Sequence, residues 1–140
     1  MERGIKNVWV VDDDASSNLL TSKMLINTNL VKNVWTDTSA SRAFERMKQR
    51  LETGEDLPEM IFLDLRMPDM DGWQFLDAIK EHEELDPKPE IILLTGSTRT
   101  NDLIKSVVTP HIGSLINKPL TDFELRQVLT NYLEGQMCAG

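Results

Sequence analysis

The chain has 140 residues, of which 40% are hydrophobic and 27% are charged. This length and composition are typical of one globular domain and exclude a disordered protein. The formal net charge of −8 argues against nonspecific nucleic-acid binding, which draws on a basic surface. Cys138 is the single cysteine, which indicates a reducing compartment. No apolar run approaches the roughly 18 residues of a membrane span. The sequence therefore predicts a cytoplasmic protein.

Five short apolar runs alternate with amphipathic segments along the chain. The apolar runs predict strands at 8–11, 31–35, 60–63, 91–94 and 114–116. The amphipathic segments predict helices at about 16–27, 40–51, 73–81, 101–108 and 122–134. Leu20 and Met24 are one turn apart in the first helix, and Ser39 or Thr38 can cap the second.

The strands are apolar throughout and are separated by helices, which predicts a parallel sheet covered on both faces. No linker, internal repeat or second domain is apparent in the sequence. We therefore expect an α/β fold that forms one domain over residues 1–140. Its core is expected at about 5–134, with a frayed tail at 135–140.

Polar side chains follow four of the predicted strands. They are Asp12, Asp13 and Asp14 after the first strand, Asp64 after the third, Thr95 after the fourth, where Gly96 follows it, and Asn117 and Lys118 after the fifth. In an open α/β sheet, ligands bind outside the carboxyl ends of the strands. We expect these residues, although distant in sequence, to meet at one edge of the sheet.

The gathered residues fit the chemistry of phosphoryl transfer to a carboxylate. Several carboxylates at one place repel one another unless a cation lies between them. Mg²⁺ suits such a site because it prefers oxygen ligands. A carboxylate can attack phosphorus to give an aspartyl phosphate. A metal ion, the Lys118 ammonium and the Thr95 hydroxyl can then stabilise the charge on the transferred group.

Each feature also has a purely structural explanation. The acidic triplet can be a solvated turn in which Asp14 caps a helix, and Asp64 can simply end a strand. Taken alone, Thr95 is typical of a turn and Lys118 is typical of the surface. The occurrence of all four features at successive strand ends is what favours a shared site.

Four segments resemble the signatures of response-regulator receiver domains, the phosphorylated switches of two-component phosphorelays. They are VVDDD at 10–14, LDLRMPDMDG at 63–72, LTGS at 94–97 and NKPL at 117–120, in the family's order. The resemblance implies a flavodoxin-like, doubly wound (βα)5 fold, with five parallel strands in the order 2-1-3-4-5. It also implies a protein that catalyses only its own phosphorylation and dephosphorylation, and that is otherwise not an enzyme.

The same resemblance implies a phosphoacceptor and a set of metal ligands. Asp64 is the implied phosphoacceptor. Asp13 is expected to bind Mg²⁺ directly and Asp12 through a water molecule. Asp64 and the backbone carbonyl of Arg66 are expected to complete the ligands from the protein.

Further roles and one departure follow from the resemblance. Thr95 and Lys118 are expected to contact phosphoryl oxygens, and Asp14 is expected to cap the first helix. Leu115 stands where many receivers carry a Tyr or Phe that swings inward upon phosphorylation. The signal is therefore expected to travel through backbone shifts around 96–100.

The implied phosphodonor is a histidine on another protein, either a sensor histidine kinase or a histidine phosphotransfer protein. A downstream protein is expected to recognise the face formed by the predicted fourth helix, the fifth strand and the last helix. That face includes Leu103, Ile104, Leu115 and Arg126. We expect a stand-alone receiver, or alternatively a segment of a longer protein. It is expected to be a monomer or a weak dimer, with no direct contact to nucleic acid or membrane.

Two other functions fit part of the pattern. A haloacid-dehalogenase-type phosphatase would use the D-x-D motif at 12–14, Thr95, Lys118 and Mg²⁺. That class needs a further acidic pair beyond the lysine, and the segment around Asp64 would go unexplained. The second alternative is a pseudo-receiver, which binds partners without being phosphorylated, although every side chain needed for phosphorylation is present.

Overall fold

The computed structural model describes residues 4–65, 72–82, 89–96 and 112–139. The helices and strands in these residues are β1 (Ile5–Val11), α1 (Ala15–Asn27), β2 (Val31–Asp37), α2 (Ala40–Thr53), β3 (Met60–Asp64), α3 (Gly72–Glu81), β4 (Glu90–Thr95), β5 (Ile112–Asn117) and α4 (Asp122–Ala139). The predicted helix at 101–108, with Leu103 and Ile104, and the carbonyl of Arg66 lie outside the described residues.

Several predicted boundaries are wrong. The first strand begins at Ile5 rather than at residue 8, and the second ends at Asp37 rather than at residue 35. The fifth strand begins at Ile112 rather than at residue 114, because a β-branched residue ahead of Gly113 extends the strand. The last helix continues to Ala139, through most of the tail that was expected to be frayed. Gly135 lowers the helix propensity there, but the glutamate, glutamine and methionine around it favour a helix.

All five strands pair in parallel, in the order β2-β1-β3-β4-β5. The chain runs from β1 outward to the edge strand β2, and then returns past β1 to continue in the other direction. This reversal of winding lies between β1 and β3, and it opens a crevice at the carboxyl ends of the strands. The order confirms the predicted flavodoxin-like, doubly wound sheet.

Hydrophobic side chains cover both faces of the sheet and form two cores. Trp9 and Val11 of β1 point into the core shared with α2 and α3. Val8 and Val10 point into the core shared with α1 and α4. Strand β3 is buried at all of its residues, which explains its continuous apolar sequence. Each large buried side chain contributes roughly 1.5–3 kcal/mol relative to an exposed one, so the cores hold the strand ends in fixed positions.

The first two helices begin at side chains that accept hydrogen bonds from the first turn. Asp14 Oδ1 accepts from two backbone N–H groups of α1, at 2.9 and 3.4 Å, which confirms the predicted cap. Ser39 Oγ accepts from the N–H of Arg42 at 3.2 Å, so Ser39 rather than Thr38 caps α2. Helix α2 ends at Gly54, whose φ of 76° lies in the left-handed region that favours glycine.

Helix α1 buries polar side chains and exposes apolar ones. Its buried residues are Asn18, Thr21 and Leu25. Leu19 is 58% exposed and Leu20 is 61% exposed. Apolar residues surround most of this helix, so its hydrophobic pattern does not select the face that packs on the sheet.

At the amino ends of the strands, Tyr132 of α4 contacts the residue that precedes β3. The Tyr132 hydroxyl donates to Glu59 Oε1 at 3.2 Å, and Glu59 Oε2 accepts from the N–H of Lys6 at 2.8 Å. Burial, followed by the charge and hydrogen bond of Glu59 and the charge of Glu90, raises the pKa of Tyr132 to about 12. An ionised phenol here would lose its donated bond and would face two carboxylates.

Tyr132 is the only tyrosine in the chain, so an ultraviolet absorbance titration reports its ionisation directly. We expect a midpoint near pH 12 in the folded protein and near pH 10 in denaturant, since about 10 is the ordinary pKa of tyrosine. Because the folded pKa is the higher one, this contribution to stability is complete below about pH 10 and is lost as the pH rises through 12.

The substitution Glu59→Gln is the matched control for this titration. It keeps an oxygen that can accept from Tyr132 but removes the charge, so the midpoint should move down toward the ordinary value. Circular dichroism over the same pH range identifies the part of the titration in which the chain is folded. A folded-state midpoint near 10 would contradict the contact.

Candidate functional site

Parallel register brings the carboxyl ends of the strands to one edge of the sheet. The pairs nearest this edge are Val11 with Leu63, Asp64 with Leu94, and Thr95 with Asn117. Asp12 and Lys118 follow the last residues of β1 and β5, so they emerge beside Asp64 and Thr95. The structure thus brings together Asp12, Asp13, Asp64, Thr95 and Lys118. Of the residues predicted to bind the metal ion or the phosphoryl group, Arg66 is the one that lies outside the described residues.

Lys118 contacts aspartates from two different strands. Its Nζ lies 2.6 Å from Asp12 Oδ2 and 3.6 Å from Asp64 Oδ2. Its backbone N–H donates to the carbonyl of Thr95 at 2.8 Å, and a cis peptide bond joins it to Pro119. The lysine is therefore held at its backbone as well as at its ammonium group.

The aspartates are more deeply buried than the lysine. The side chains of Asp12 and Asp64 are 2% and 10% exposed, whereas that of Lys118 is 30% exposed. Burial by itself would lower the pKa of Lys118. The hydrogen bond to Asp12 and the negative charges of Asp64 and Asp12 outweigh burial, and they raise that pKa above its ordinary value. Lys118 is therefore a permanent positive charge beside the two acids.

Asp12, Asp13 and Asp64 form a cluster that can hold a metal ion. Each places a carboxylate oxygen within 4.8 Å of the others. Asp12 and Asp64 are buried, and Asp13 is exposed and open to solvent. Lys118 offsets only part of this negative charge. Because small divalent cations such as Mg²⁺ prefer oxygen ligands and retain several water molecules, a buried pair beside an exposed carboxylate fits such an ion.

Two residues near the cluster were missed in the sequence. Asp37 ends β2 and is 8% exposed, but its carboxylate pairs with Arg42 at 2.9 Å and Arg46 at 3.6 Å. Its position at a strand end could have been noticed, since it follows the second predicted strand. Asn18 lies inside α1 and donates to backbone carbonyls at the ends of β1 and β2. No motif in the sequence marks it.

Thr95 and Leu115 lie on strands next to one another. Thr95 is 1% exposed at the end of β4. Leu115 of β5 is partly buried and packs against the core shared with α2 and α3. The position where many receivers carry an aromatic ring is thus filled by a smaller aliphatic side chain that is part of the core.

Arg126 of α4 contacts the end of α1. Its guanidinium group lies 3.4 Å from the carbonyl oxygens of Thr28 and Asn27, and its Nε donates to Asp122 at 2.9 Å. A cation beside the last carbonyls of a helix is favourable. Arg126 therefore links the two helices that cover the same face of the sheet.

Comparison with known proteins identifies the family. The sequence matches the response regulator receiver domain over residues 8–130. The chain belongs to this family. As a receiver domain of the two-component type it fits a phosphorylation-dependent switch rather than an enzyme acting on other substrates. Neither the phosphatase nor the pseudo-receiver alternative is favoured.

Curated relatives are similar over part of their own length. The probable methanogenesis regulatory protein FilR2 of Methanothrix harundinacea is 37% identical over 81 residues, which cover 58% of this chain and 51% of that protein. The DNA-binding transcriptional regulator NtrC of Proteus hauseri is 33% identical over 97 residues, which cover 69% of this chain and 18% of that protein. The chain thus spans about half the length of the first relative and less of the second.

Solved structures share the whole fold. A two-component response regulator from Cytophaga hutchinsonii is 28% identical and superposes with a TM-score of 0.85, over 95% of this chain and 99% of that chain. A response regulator receiver protein from Dyadobacter fermentans is 26% identical and has a TM-score of 0.77, over 91% and 97%. Within the residues that the structure describes, no helix combines the length and apolar content needed to cross a membrane.

The ion pair at this edge can be tested by replacing Lys118 with Met, which removes the ammonium group but keeps most of the side-chain volume. Without divalent cations, we expect the free energy of unfolding to fall by about 1–3 kcal/mol, because Asp12 is left as a buried carboxylate without its cation. Urea-induced unfolding gives this value.

Lys48→Met is the matched control, because Lys48 pairs with Glu45 at an exposed site. That substitution should change the free energy of unfolding by less than about 0.5 kcal/mol. Equal effects of the two substitutions would show that Lys118 is no more than a surface lysine.

Proposed function

We propose that the chain accepts a phosphoryl group on Asp64 from a phosphohistidine, carried by a sensor histidine kinase or a histidine phosphotransfer protein. The observation that carries the proposal is the position of the Lys118 ammonium, 2.6 Å from Asp12 and 3.6 Å from Asp64, beside a cluster of three carboxylates. A reactive carboxylate and a cation that can neutralise a phosphoryl oxygen are thereby within reach of one another.

The Lys118 ammonium lies closer to Asp12 than to Asp64, the proposed nucleophile. Both carboxylate oxygens of Asp12 are engaged, Oδ1 by the N–H of Asp14 at 2.9 Å and Oδ2 by Lys118 at 2.6 Å. The Oδ2 of Asp64 is 3.6 Å from Lys118, which is longer than a strong charge-assisted hydrogen bond. The ammonium therefore holds Asp12 more closely than it holds Asp64.

In the proposed transfer, an oxygen of Asp64 attacks phosphorus and forms a new O–P bond. The P–N bond to the histidine breaks, and its electron pair returns to the ring nitrogen. The donor leaves as a neutral imidazole when its other nitrogen carries a proton. The product is an aspartyl phosphate, whose added negative charge Lys118 offsets. The Thr95 hydroxyl is proposed to donate to a phosphoryl oxygen.

Mg²⁺ is the proposed cofactor of this site. Asp13 would bind it directly, Asp12 through a water molecule, and Asp64 and the carbonyl of Arg66 would complete the set. When bound, the ion supplies positive charge to the carboxylates and to the phosphoryl oxygens. Lys118 brings one positive charge to the three carboxylates, so a bound divalent cation would reduce the repulsion that remains among them.

The proposed output is a shift in a pre-existing equilibrium of the protein. Phosphorylation would draw Thr95 and the backbone around 96–100 toward the phosphoryl group. A downstream protein would then recognise the face that includes β5 and α4. We further propose that the chain acts in the cytoplasm, in keeping with its single cysteine, as a monomer or weak dimer.

The acceptor is tested by Asp64→Asn, with acetyl phosphate as the phosphodonor in the presence of Mg²⁺. We expect intact-mass spectrometry to detect one added phosphoryl group on the wild type and none on the variant. An amide cannot form the acyl phosphate, while its shape preserves the fold. Asp14→Asn is the matched control, because asparagine caps a helix as well as aspartate does. Full phosphorylation of the Asp64 variant would show that another residue is the acceptor.

The metal site is tested by thermal unfolding with and without Mg²⁺. The ion should raise the melting temperature of the wild type, because it binds only the folded cluster. Asp13→Asn should remove most of this increase, whereas Asp14→Asn, which neutralises the neighbouring carboxylate, should retain it. No increase in the wild type, or equal losses in the two variants, would contradict the proposed ligands.

A further inference from the structure

Asn18 occupies a position in α1 that would ordinarily be apolar. It is 3% exposed, whereas the neighbouring Leu19 and Leu20 are 58% and 61% exposed. A leucine at position 18 would add to the core, and an amide there must have its hydrogen bonds satisfied or cost stability. Hydrophobic burial therefore does not explain why an asparagine stands at this position.

The amide of Asn18 bridges the carboxyl ends of two neighbouring strands. Its Nδ2 donates to the carbonyl of Asp12 at 2.9 Å and to the carbonyl of Asp37 at 3.1 Å. Both partners are carbonyl oxygens, so the NH2 end of the side chain must face them. The N–H of Asp12 also donates to the carbonyl of Asp37, at 3.2 Å. Asn18 therefore joins the same two strands one step beyond their last backbone hydrogen bond.

The other end of the amide is buried without compensation. Within the described part of the chain, Asn18 Oδ1 has no hydrogen-bond partner. A buried acceptor left unsatisfied lowers the stability of the folded state. The side chain thus makes two hydrogen bonds through Nδ2, but it leaves its oxygen unsatisfied and forgoes the apolar contact that a leucine would make.

The carbonyl of Asp12 is part of the peptide group that joins Asp12 to Asp13. Because a peptide group is planar, a hydrogen bond to this oxygen restrains the Cα atoms of both residues. Asp37, whose carbonyl is the second acceptor, is itself held in place. Its carboxylate pairs with Arg42 and Arg46 and accepts from the N–H of Ser39. Asn18 thereby braces the two acidic residues against a fixed point on β2.

We infer that Asn18 is a positioning residue for the metal cluster, an inference that rests on the proposed function. Both of its hydrogen bonds go to backbone carbonyls rather than to the carboxylates that would hold the ion. It restrains the peptide between Asp12 and Asp13, so that their carboxylates are held in place before a divalent cation binds. Outer contacts of this kind commonly set metal affinity by orienting the residues that bind the ion.

The experiment compares the Mg²⁺ dissociation constants of the wild type, Asn18→Leu and Thr21→Val by isothermal titration calorimetry. Thr21 is a buried polar residue on the same face of α1, so Thr21→Val is the matched control for loss of a buried polar group. We expect Asn18→Leu to weaken Mg²⁺ binding about tenfold and Thr21→Val to leave it unchanged. A purely structural role would lower the melting temperature without this difference in affinity.

The rate of phosphorylation by acetyl phosphate gives a second readout. For Asn18→Leu, the rate should fall at low Mg²⁺ and recover toward the wild-type rate at saturating Mg²⁺, because Asp64 and Lys118 are intact. A loss that persists at saturation would overturn the inference, as would equal dissociation constants for Asn18→Leu and the wild type.

Nuclear magnetic resonance of the wild type keeps the inference testable if Asn18→Leu does not fold. The side-chain amide protons of Asn18 should exchange slowly with solvent and should shift on addition of Mg²⁺, with exposed Asn27 as the reference. Rapid exchange or an absent shift would overturn the inference. If the wild type binds no Mg²⁺ at all, the proposed metal site and the positioning role of Asn18 are both wrong. If the wild type binds Mg²⁺ and Asn18→Leu binds it with the same dissociation constant, only the positioning role is wrong.

Discussion

The contact between Lys118 and Asp12 is the interaction on which the site depends. A carboxylate as buried as that of Asp12, 2% exposed, is costly unless a cation and hydrogen bonds compensate for lost hydration. Strands β1 and β5 are not neighbours, since β3 and β4 lie between them. The ammonium thus reaches across the edge of the sheet from one side of the crevice to the other. That span brings Asp64, at the end of β3, within 3.6 Å of the same charge.

The sheet makes this arrangement possible because its register leaves little freedom. A slip of one residue between β1 and β3 would turn every side chain of one strand to the opposite face. Since β3 is buried at every position, such a slip would exchange the residues of the two cores. The hydrophobic cores therefore determine which carboxylates meet, and the polar contacts at the edge determine how closely they approach. The site therefore requires both the hydrophobic packing of the strands and the polar contacts at their ends.

The parts of the structure that the sequence predicted are those governed by local, strongly patterned signals. Continuous apolar runs predicted the buried strands. The polar residues at the ends of these runs predicted that Asp64, Thr95 and Lys118 lie together, because the carboxyl ends of parallel strands share one edge of the sheet. Other features depend on contacts between distant segments. The inward face of α1 could not be predicted, since apolar residues surround that helix and the sheet selects a face containing Asn18. The pairing of Asp37 with arginines of α2, which keeps a further strand-end acid out of the cluster, also required the packed structure.

On the proposed function, the position of Lys118 also explains how a signal could pass without an aromatic residue at position 115. A phosphoryl group carries about −1.5 to −2 charges in place of the single negative charge of the Asp64 carboxylate, so the ammonium, now closer to Asp12, is drawn toward it. The backbone N–H of the same lysine is bonded to the carbonyl of Thr95 at 2.8 Å. The two residues proposed to contact the phosphoryl oxygens are therefore joined through their backbones as well. On this proposal, movement of either side chain toward the phosphoryl group would be transmitted to the ends of both β4 and β5. Leu115 would remain packed in the core while the ends of these two strands move.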